Sequence, residues 1–280
     1  MPAQVLDGKL LAQRIRTRLA EARAKLGARP VRLVSLEVGQ SPAAASYVRN
    51  QQRAAAEVGI EMEIANLPAT TNQADTIAAI QRYNARPEVA GIIVQRPLPA
   101  GIDARAINEA IAPHKDAEGM HPQNLGAILL REVPLAPCTA AAAQELILSS
   151  GVPLRGAEAV VVGRSEIVGK PVAMLLLHHQ ATVTVCHSNT KDLAAHTRGA
   201  DILVVAVGKA GLVRGNMIKP GACVIDVGIN QGADGKLVGD VEFATAMEIA
   251  GFLTPVPGGV GPVAVAMLLR NTLRAAGAAV

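Results

Sequence analysis

The stretch Ala159-Val-Val-Val-Gly-Arg-Ser-Glu-Ile-Val-Gly-Lys-Pro171 decides how this chain is read. An apolar, β-branched run stops at Gly163, turns over Arg164 and Ser165, and restarts as a helix around Val168. Strand, bare turn and helix in that order form the layout of a dinucleotide site. Backbone N–H groups can approach a pyrophosphate there, and the helix N-terminus adds its partial positive charge. Ser165 stands where the second Gly of G-x-G-x-x-G would be, so the turn departs from the usual fingerprint. The next apolar run, Thr182-Val-Thr-Val-Cys186, ends about 20 residues on, where an NAD site places an acidic residue against the ribose 2′-hydroxyl. This chain has His187 and Ser188 there, with Arg164 in the turn. A carboxylate would repel a 2′-phosphate, whereas a guanidinium, a hydroxyl and an imidazole would accept one. The reading is therefore NADP rather than NAD.

A chain of 280 residues is long for one core and comfortable for two domains. With 50% hydrophobic and 18% charged residues it is globular, not disordered. No apolar run nears the roughly 20 residues of a bilayer span, so no membrane partner is expected. The opening Met1-Pro-Ala-Gln-Val-Leu-Asp-Gly8 lacks a charged leader and an apolar segment, and the 3 Cys lack metal-ligand spacing. A reducing cytoplasm, no disulfide framework and no metal site are the expectations. The net charge of +4 is spread over helices, as at Arg14, Arg16, Arg18, Arg23 and Lys25. Aromatic content of 1% leaves no stacking platform for single strands, so nucleic acid is not an expected partner.

Short β-rich runs alternate with helical stretches, which predicts an α/β protein with largely parallel sheets. In the first half the pattern predicts helices over about 8–26, 43–58, 73–84 and 103–111, with strands over 31–38, 61–67 and 91–95. Residues 113–137, rich in polar residues, Gly and Pro, read as irregular. A helix over 140–149 leads to strands from Ala159 and over 182–186, 202–207 and 223–227. Residues 256–262 read as a loop before a last helix over 263–276. Two α/β units joined by a polar seam are expected to place a small-molecule cleft at their junction.

Four segments then resemble one family: Val38-Gly39 with Tyr47-Val-Arg-Asn50; Val94-Gln-Arg-Pro-Leu-Pro99; the Gly163 turn with Cys186-His-Ser188; and Thr254-Pro-Val-Pro-Gly-Gly-Val-Gly-Pro262. Pro137-Cys-Thr139, Asp226-Val-Gly-Ile-Asn230 and Gly239-Asp-Val241 support them. Their order and spacing resemble the methylenetetrahydrofolate dehydrogenase/cyclohydrolase family over essentially the whole chain. The resemblance implies an N-terminal folate-type catalytic domain over 1–140 and a Rossmann-like NADP-binding domain with a parallel sheet over 141–264. A C-terminal helix over 265–280 would pack back towards the first domain, and the family implies a homodimer. The implied chemistry has two steps. A methylene bridge on tetrahydrofolate gives a hydride to NADP, and the resulting methenyl cation takes up water and opens to the formyl product. Hydride transfer needs mainly geometry, whereas hydrolysis needs a group that moves protons.

The same resemblance implies residue roles. Arg164 and Ser188 would clamp the 2′-phosphate, Gly163 and Ser165 would shape the turn, and Thr139 and Ile229 would flank the dinucleotide. Pro257, Gly258 and Gly261 would form a loop under the nicotinamide side. Tyr47 and Gln95 would hold the reacting carbon, and Glu118 would anchor the pterin. The family's proton-moving Lys lies four residues after the Tyr, and that position here is Gln51. An amide donates and accepts hydrogen bonds but does not titrate near neutrality. Dehydrogenation with weak or absent hydrolysis is the expectation. Other departures lie on the same side: Ala44 for a Ser, Arg96 for a Leu, and Glu118 for an Asp, with Ala140 and Val263-Ala264 elsewhere. They leave two alternatives open: a dehydrogenase for another pterin or one-carbon donor, and a non-catalytic NADP-binding protein.

Overall fold

A computed structural model describes residues 2–39, 42–232 and 235–280. The side chains of residues 42–44 and 46 fall outside that description, and with them the expectation placed on Ala44. Strand β1 (Gln4–Val5) is followed by α1 (Gly8–Ala24), β2 (Arg32–Val38), α2 (Pro42–Val58), β3 (Glu61–Leu67), α3 (Gln73–Asn84) and β4 (Val89–Val94). Next come α4 (Ala104–Ala110), α5 (Pro122–Leu129), α6 (Cys138–Ser150), β5 (Glu158–Val162), α7 (Gly169–His178), β6 (Thr182–Cys186) and α8 (Leu193–Thr197). The chain continues through β7 (Ile202–Val205), β8 (Cys223–Asp226), β9 (Asn230–Gln231), β10 (Leu237–Val238), α9 (Phe243–Ile249), β11 (Phe252–Leu253) and α10 (Val260–Ala275).

Two compact units result. One comprises Arg14–Cys138 with Val265–Val280, the other Met1–Gln13 with Thr139–Ala264. The expected 1–140 division differs at its start, because β1 pairs parallel with β11, Gln4 opposite Phe252 and Val5 opposite Leu253. A Cβ on Gly8 would run into the Gly259 carbonyl, so the first helix also begins in contact with that unit.

In the first unit β3, β2 and β4 form a parallel sheet with β2 central. Val34, Leu36, Ile80, Ile92 and Ile107 form its core. The 113–137 stretch is not all irregular. It holds α5, capped by His121, whose Nδ1 accepts from Gln123 N at 3.0 Å. Pro122 opens that helix, and Asn124 donates to Asp116 Oδ2 at 2.9 Å. Eight residues with Pro, Asn and Gly among them carry too little periodicity to be seen from sequence, and the cap and the Asp116 contact stabilise them. At the far end of this unit Asn271, fully buried on α10, donates to Ala117 O at 3.0 Å and Ala136 O at 2.8 Å.

In the second unit the strand order is β1-β11-β8-β7-β5-β6, and each neighbouring pair is parallel. The carboxyl ends of β5, β6, β7 and β8 therefore share one edge, where ligands of open α/β sheets bind. Val160, Val162, Leu203, Val205, Val224 and Leu253 pack the core behind that edge. Strand β7 stops at Val205, two residues before its expected end, because Val207 N turns to a side chain, that of Asp240. Helix α10 starts at Val260, not 263, so Gly261 belongs to its first turn rather than to the loop. Pro262 permits this, since first-turn N–H groups have no intrahelical partner to lose. Among the described residues no helix is long and apolar enough to cross a membrane.

Replacing Asn271 with Ala removes both donors from buried carbonyls. Stability should fall by about 2 kcal/mol, read as a lower urea midpoint with unchanged slope.

Candidate active site

The dinucleotide edge is built on backbone contact. Gly163 follows β5 with φ +125°, and a Cβ there would run into the Ala206 carbonyl after β7. A Cβ on Gly169 would run into the Gly163 carbonyl. Both glycines are thus required by the turn itself. Ser165 Oγ accepts from Val168 N at 3.1 Å and Gly169 N at 3.4 Å, which closes the turn onto α7. Arg164 remains exposed beyond it.

Gly163 N donates to Cys186 O at 2.9 Å, so the neighbouring strand β6 ends beside this turn. There His187 N donates to Thr190 Oγ1 at 2.8 Å and Asn189 N to His187 Nδ1 at 3.2 Å, leaving Ser188 exposed. Arg164 and Ser188 consequently rise from adjacent strand ends, about 5 Å apart across a sheet. This pairing suits a phosphorylated dinucleotide: bare amides for the bridging phosphates, a cation and a hydroxyl for a further one. Ile229, 67% exposed, follows β8 on the same edge. Thr139 sits partly buried as the second residue of α6. Pro257 is exposed and Gly258 takes φ +109°, both in the loop before α10. That loop is tied down at Thr254, whose Oγ1 accepts from Asp226 N at 2.7 Å.

The other unit holds a buried polar relay. Tyr47 and Gln51 lie one turn apart on α2. Gln95 follows the last residue of β4, and its Nε2 donates to Gln51 Oε1 at 2.9 Å and to Ser35 Oγ at 3.0 Å. All three partners are buried: Ser35 at 0%, Gln51 at 1% and Gln95 at 8% exposure. Gln51 Nε2 is buried with no close hydrogen-bond partner among the described residues, although it acts weakly as a donor on the Tyr47 oxygen. Ser35 went unread in the sequence, although a lone hydroxyl inside Leu33-Val-Ser-Leu36 was a usable signal. None of the three titrates near neutral pH. Tyr47 keeps 44% of its surface open, yet burial first, then Cys138 and Glu118, push its phenol up to about 12. It stays protonated and can donate.

Glu118 ends a tight turn. Asp116 Oδ1 accepts from Gly119 N at 3.0 Å and its Oδ2 from His121 N at 2.7 Å. Lys115 Nζ instead donates to the carbonyls of Asn84 at 2.8 Å and Arg86 at 2.7 Å, a scaffold role. Gly119 takes φ +73°, and a Cβ there would run into the Ala136 carbonyl. Burial pushes the Glu118 carboxyl up to about 7, with Arg96 opposing and Asp116 adding to the rise. The structure thus groups Tyr47, Glu118 and Cys138 electrostatically, and joins Gln51 to Gln95 directly.

Cys138 hydrogen-bonds Ala117 O at 3.3 Å, and burial holds its thiol well above the usual range. Burial also raises Cys186, and pushes Cys223 up to about 11. A higher pKa means less thiolate at a given pH. A disulfide reagent at pH 8 should label all three more slowly than free cysteine, and rapidly only after denaturant is added.

The family described as the tetrahydrofolate dehydrogenase/cyclohydrolase catalytic domain matches residues 6–118, and its NAD(P)-binding domain matches residues 137–280. "Bifunctional protein FolD" of Bordetella avium is 52% identical over 278 residues, 99% of this chain and 98% of that protein. The protein of the same name from Moorella thermoacetica is 51% identical over 278 residues, 99% of each. The crystal structure of the bifunctional dehydrogenase/cyclohydrolase FolD from Campylobacter jejuni superposes with a TM-score of 0.94 at 40% identity, covering 98% of this chain and 99% of that one. The Trypanosoma brucei FolD structure, complexed with NADP cofactor and inhibitor, has a TM-score of 0.92 at 42% identity, covering 98% and 97%. With an α/β catalytic domain, an NAD(P)-binding domain on a parallel sheet, and relatives at half identity along its full length, this chain belongs to the tetrahydrofolate dehydrogenase/cyclohydrolase family.

Proposed function

We propose that this protein is an NADP-dependent 5,10-methylenetetrahydrofolate dehydrogenase whose hydrolysis of the methenyl product is weak. The observation that carries the proposal is the buried Ser35–Gln95–Gln51 relay, neutral throughout, at the place where the family pattern puts a Lys.

NADP, when bound, supplies the hydride acceptor. The protein's part in that step is positional. Arg164 and Ser188 hold the 2′-phosphate, Gly163 and Ser165 keep the turn open to the pyrophosphate, and Thr139 and Ile229 border the dinucleotide. Pro257, Gly258 and Gly261 shape the backbone under the nicotinamide. Glu118 accepts from the pterin amino group, and Tyr47 and Gln95 keep the methylene bridge in place. The Gln51 NH2 group, with no close partner among the described residues, offers the substrate a donor. No proton is released to the protein by hydride transfer, so a neutral relay does not impede it.

Hydrolysis is different. Water adding to the methenyl carbon must lose a proton, and neither an amide nor a phenol held near 12 takes it at neutral pH. A second reading has support of its own: relatives at 50–52% identity bear the name bifunctional, and burial pushes the Glu118 carboxyl up to about 7. In that reading Glu118 receives the proton and both activities persist.

Assaying both steps on purified protein separates the readings. The first expects steady NADPH formation and methenyl hydrolysis weaker by about 100-fold or more than dehydrogenation. Gln51→Lys should raise hydrolysis more than dehydrogenation. Brisk hydrolysis by the unaltered chain, abolished in Glu118→Gln, establishes the second reading instead.

The pH dependence has a definite sign. Glu118 gains its charge as pH rises through about 7, and a carboxylate accepts N–H groups more strongly than a carboxylic acid. The KM for the folate substrate should therefore fall about 3- to 10-fold between pH 6 and pH 8. Glu118→Gln should remove that slope, and a slope that persists in the variant rules Glu118 out as its source.

A further inference from the structure

Two carboxylates at the carboxyl edge of the six-stranded sheet have no part in the roles assigned above. Asp240, fully buried, accepts four donors. Its Oδ2 takes Val207 N at 2.7 Å and Gly208 N at 2.9 Å, and its Oδ1 takes Lys209 N at 2.7 Å and Asn230 Nδ2 at 2.9 Å. Three successive amides of the loop after β7 thus point at one side chain. Asp226, the last residue of β8 and 3% exposed, holds Asp240 in turn. Its Oδ1 accepts from Gly228 N at 2.9 Å and Asp240 N at 3.0 Å, and its Oδ2 from Val241 N at 2.9 Å.

The glycines of this region record how close the carboxylates come. A Cβ on Gly228 would run into the Asp240 carboxylate, and one on Gly239 into the Asp226 carboxylate. The same β7 loop is the wall of the phosphate-type turn. A Cβ on Gly163 would run into Ala206 O and lie 3.5 Å from Val207 Cγ1. The segment 206–209 is therefore fixed on one side by the Gly163 turn and on the other by Asp240.

Burying a carboxylate is costly, and here four donors offset that cost, donors that an apolar side chain at 240 would leave unmet. What the carboxylate adds is direction: it forces consecutive N–H groups into one orientation. Binding sites gain affinity when such ordering precedes the ligand rather than being imposed by it.

We propose that Asp240, oriented by Asp226, is a positioning residue for the dinucleotide, setting the 206–209 backbone against the Gly163 turn before the cofactor arrives. The proposal rests on the NADP reading above and adds to it residues that touch only the loops. An Asn at 240 offers one acceptor oxygen where two are used, and turns an NH2 group towards backbone donors.

The test compares the unaltered full chain with Asp240→Asn, Asn230→Ala and Asp201→Asn. Asp201 pairs with Lys219 at 2.6 Å and precedes β7, at the opposite edge of the sheet, so its variant serves as control. Two quantities are measured: calorimetric affinity for NADP, and hydrogen exchange of the 207–209 amides without cofactor. Asp240→Asn should weaken NADP binding by about 10-fold or more, and Asn230→Ala by about 3-fold, with Asp201→Asn unchanged within about 2-fold. The 207–209 amides should exchange at least about 10-fold faster in Asp240→Asn. In turnover the KM for NADP should rise while kcat at saturation changes little, a split that general loss of stability does not produce. Unchanged NADP affinity in folded Asp240→Asn, or unchanged exchange at 207–209, overturns the proposal. If that variant does not fold, unchanged affinity in Asn230→Ala overturns it. An unaltered chain that binds no NADP overturns the cofactor reading together with it, so the two failures are told apart.

Discussion

A carbonyl oxygen, that of Ala206, occupies the space that any side chain at position 163 would need. This one steric exclusion organises the carboxyl edge of the larger sheet. It keeps the β5 turn free of side-chain atoms, lets the start of α7 lie close behind it, and brings the β7 loop alongside. Gly169 answers the same demand from the other side, because its neighbour is the Gly163 carbonyl. Ser165 spends its hydroxyl on two backbone amides of the turn, so the groups left to face a ligand are amides, Arg164 and, from the adjacent strand end, Ser188. A parallel sheet makes this arrangement available, since it gathers the ends of β5, β6, β7 and β8 at one edge.

The folate-type unit works on a different principle. Its relay of Ser35, Gln95 and Gln51 is buried, mutually bonded and uncharged. A Lys at position 51 would face only the neutral groups of Gln95 and Ser35 within the relay, and would lose solvation on entering. Gln51 avoids that cost and incurs a smaller one, an NH2 group with no acceptor among the described residues, worth about 1–3 kcal/mol per buried donor when nothing satisfies it. An unsatisfied donor in a buried relay is the kind of local defect that native proteins retain at sites where a ligand completes the bonding. Glu118, whose charge acts on Tyr47, has its own carboxyl pushed up to about 7 by burial, while Asp116 and Lys115 are held by the backbone around it.

Much of this was legible in the chain. Runs such as Val160-Val-Val162 and Leu33-Val-Ser-Leu36 read as strands because β-branched and aliphatic residues recur without helical period, and β3, α3 and β6 have their predicted bounds. The Gly163 turn read as a ligand edge because few other uses require so bare a strand-to-helix junction. Short elements did not read. Strands β1 and β11 have two residues each, and α5 has eight with a Pro, an Asn and a Gly among them, too few for any periodicity to register. They exist because partners elsewhere in the chain satisfy their backbone groups.

Composition and local pattern by themselves determined the α/β class, the parallel sheets and the dinucleotide edge, and the family resemblance marked Gln51 as the place of an absent cation. These follow from properties that a residue carries wherever it stands: side-chain branching, the absence of a Cβ, the lack of a titratable proton. Contacts between residues distant in sequence decided the rest. They joined the first thirteen residues to the second unit, brought Ser35 to Gln95 across 60 positions, and turned Asp240 towards Val207, Gly208 and Lys209. Nothing in an aspartate's own chemistry says which amides it will bind. That choice belongs to the strand order, which sets what lies within 3 Å of it once the sheet has formed.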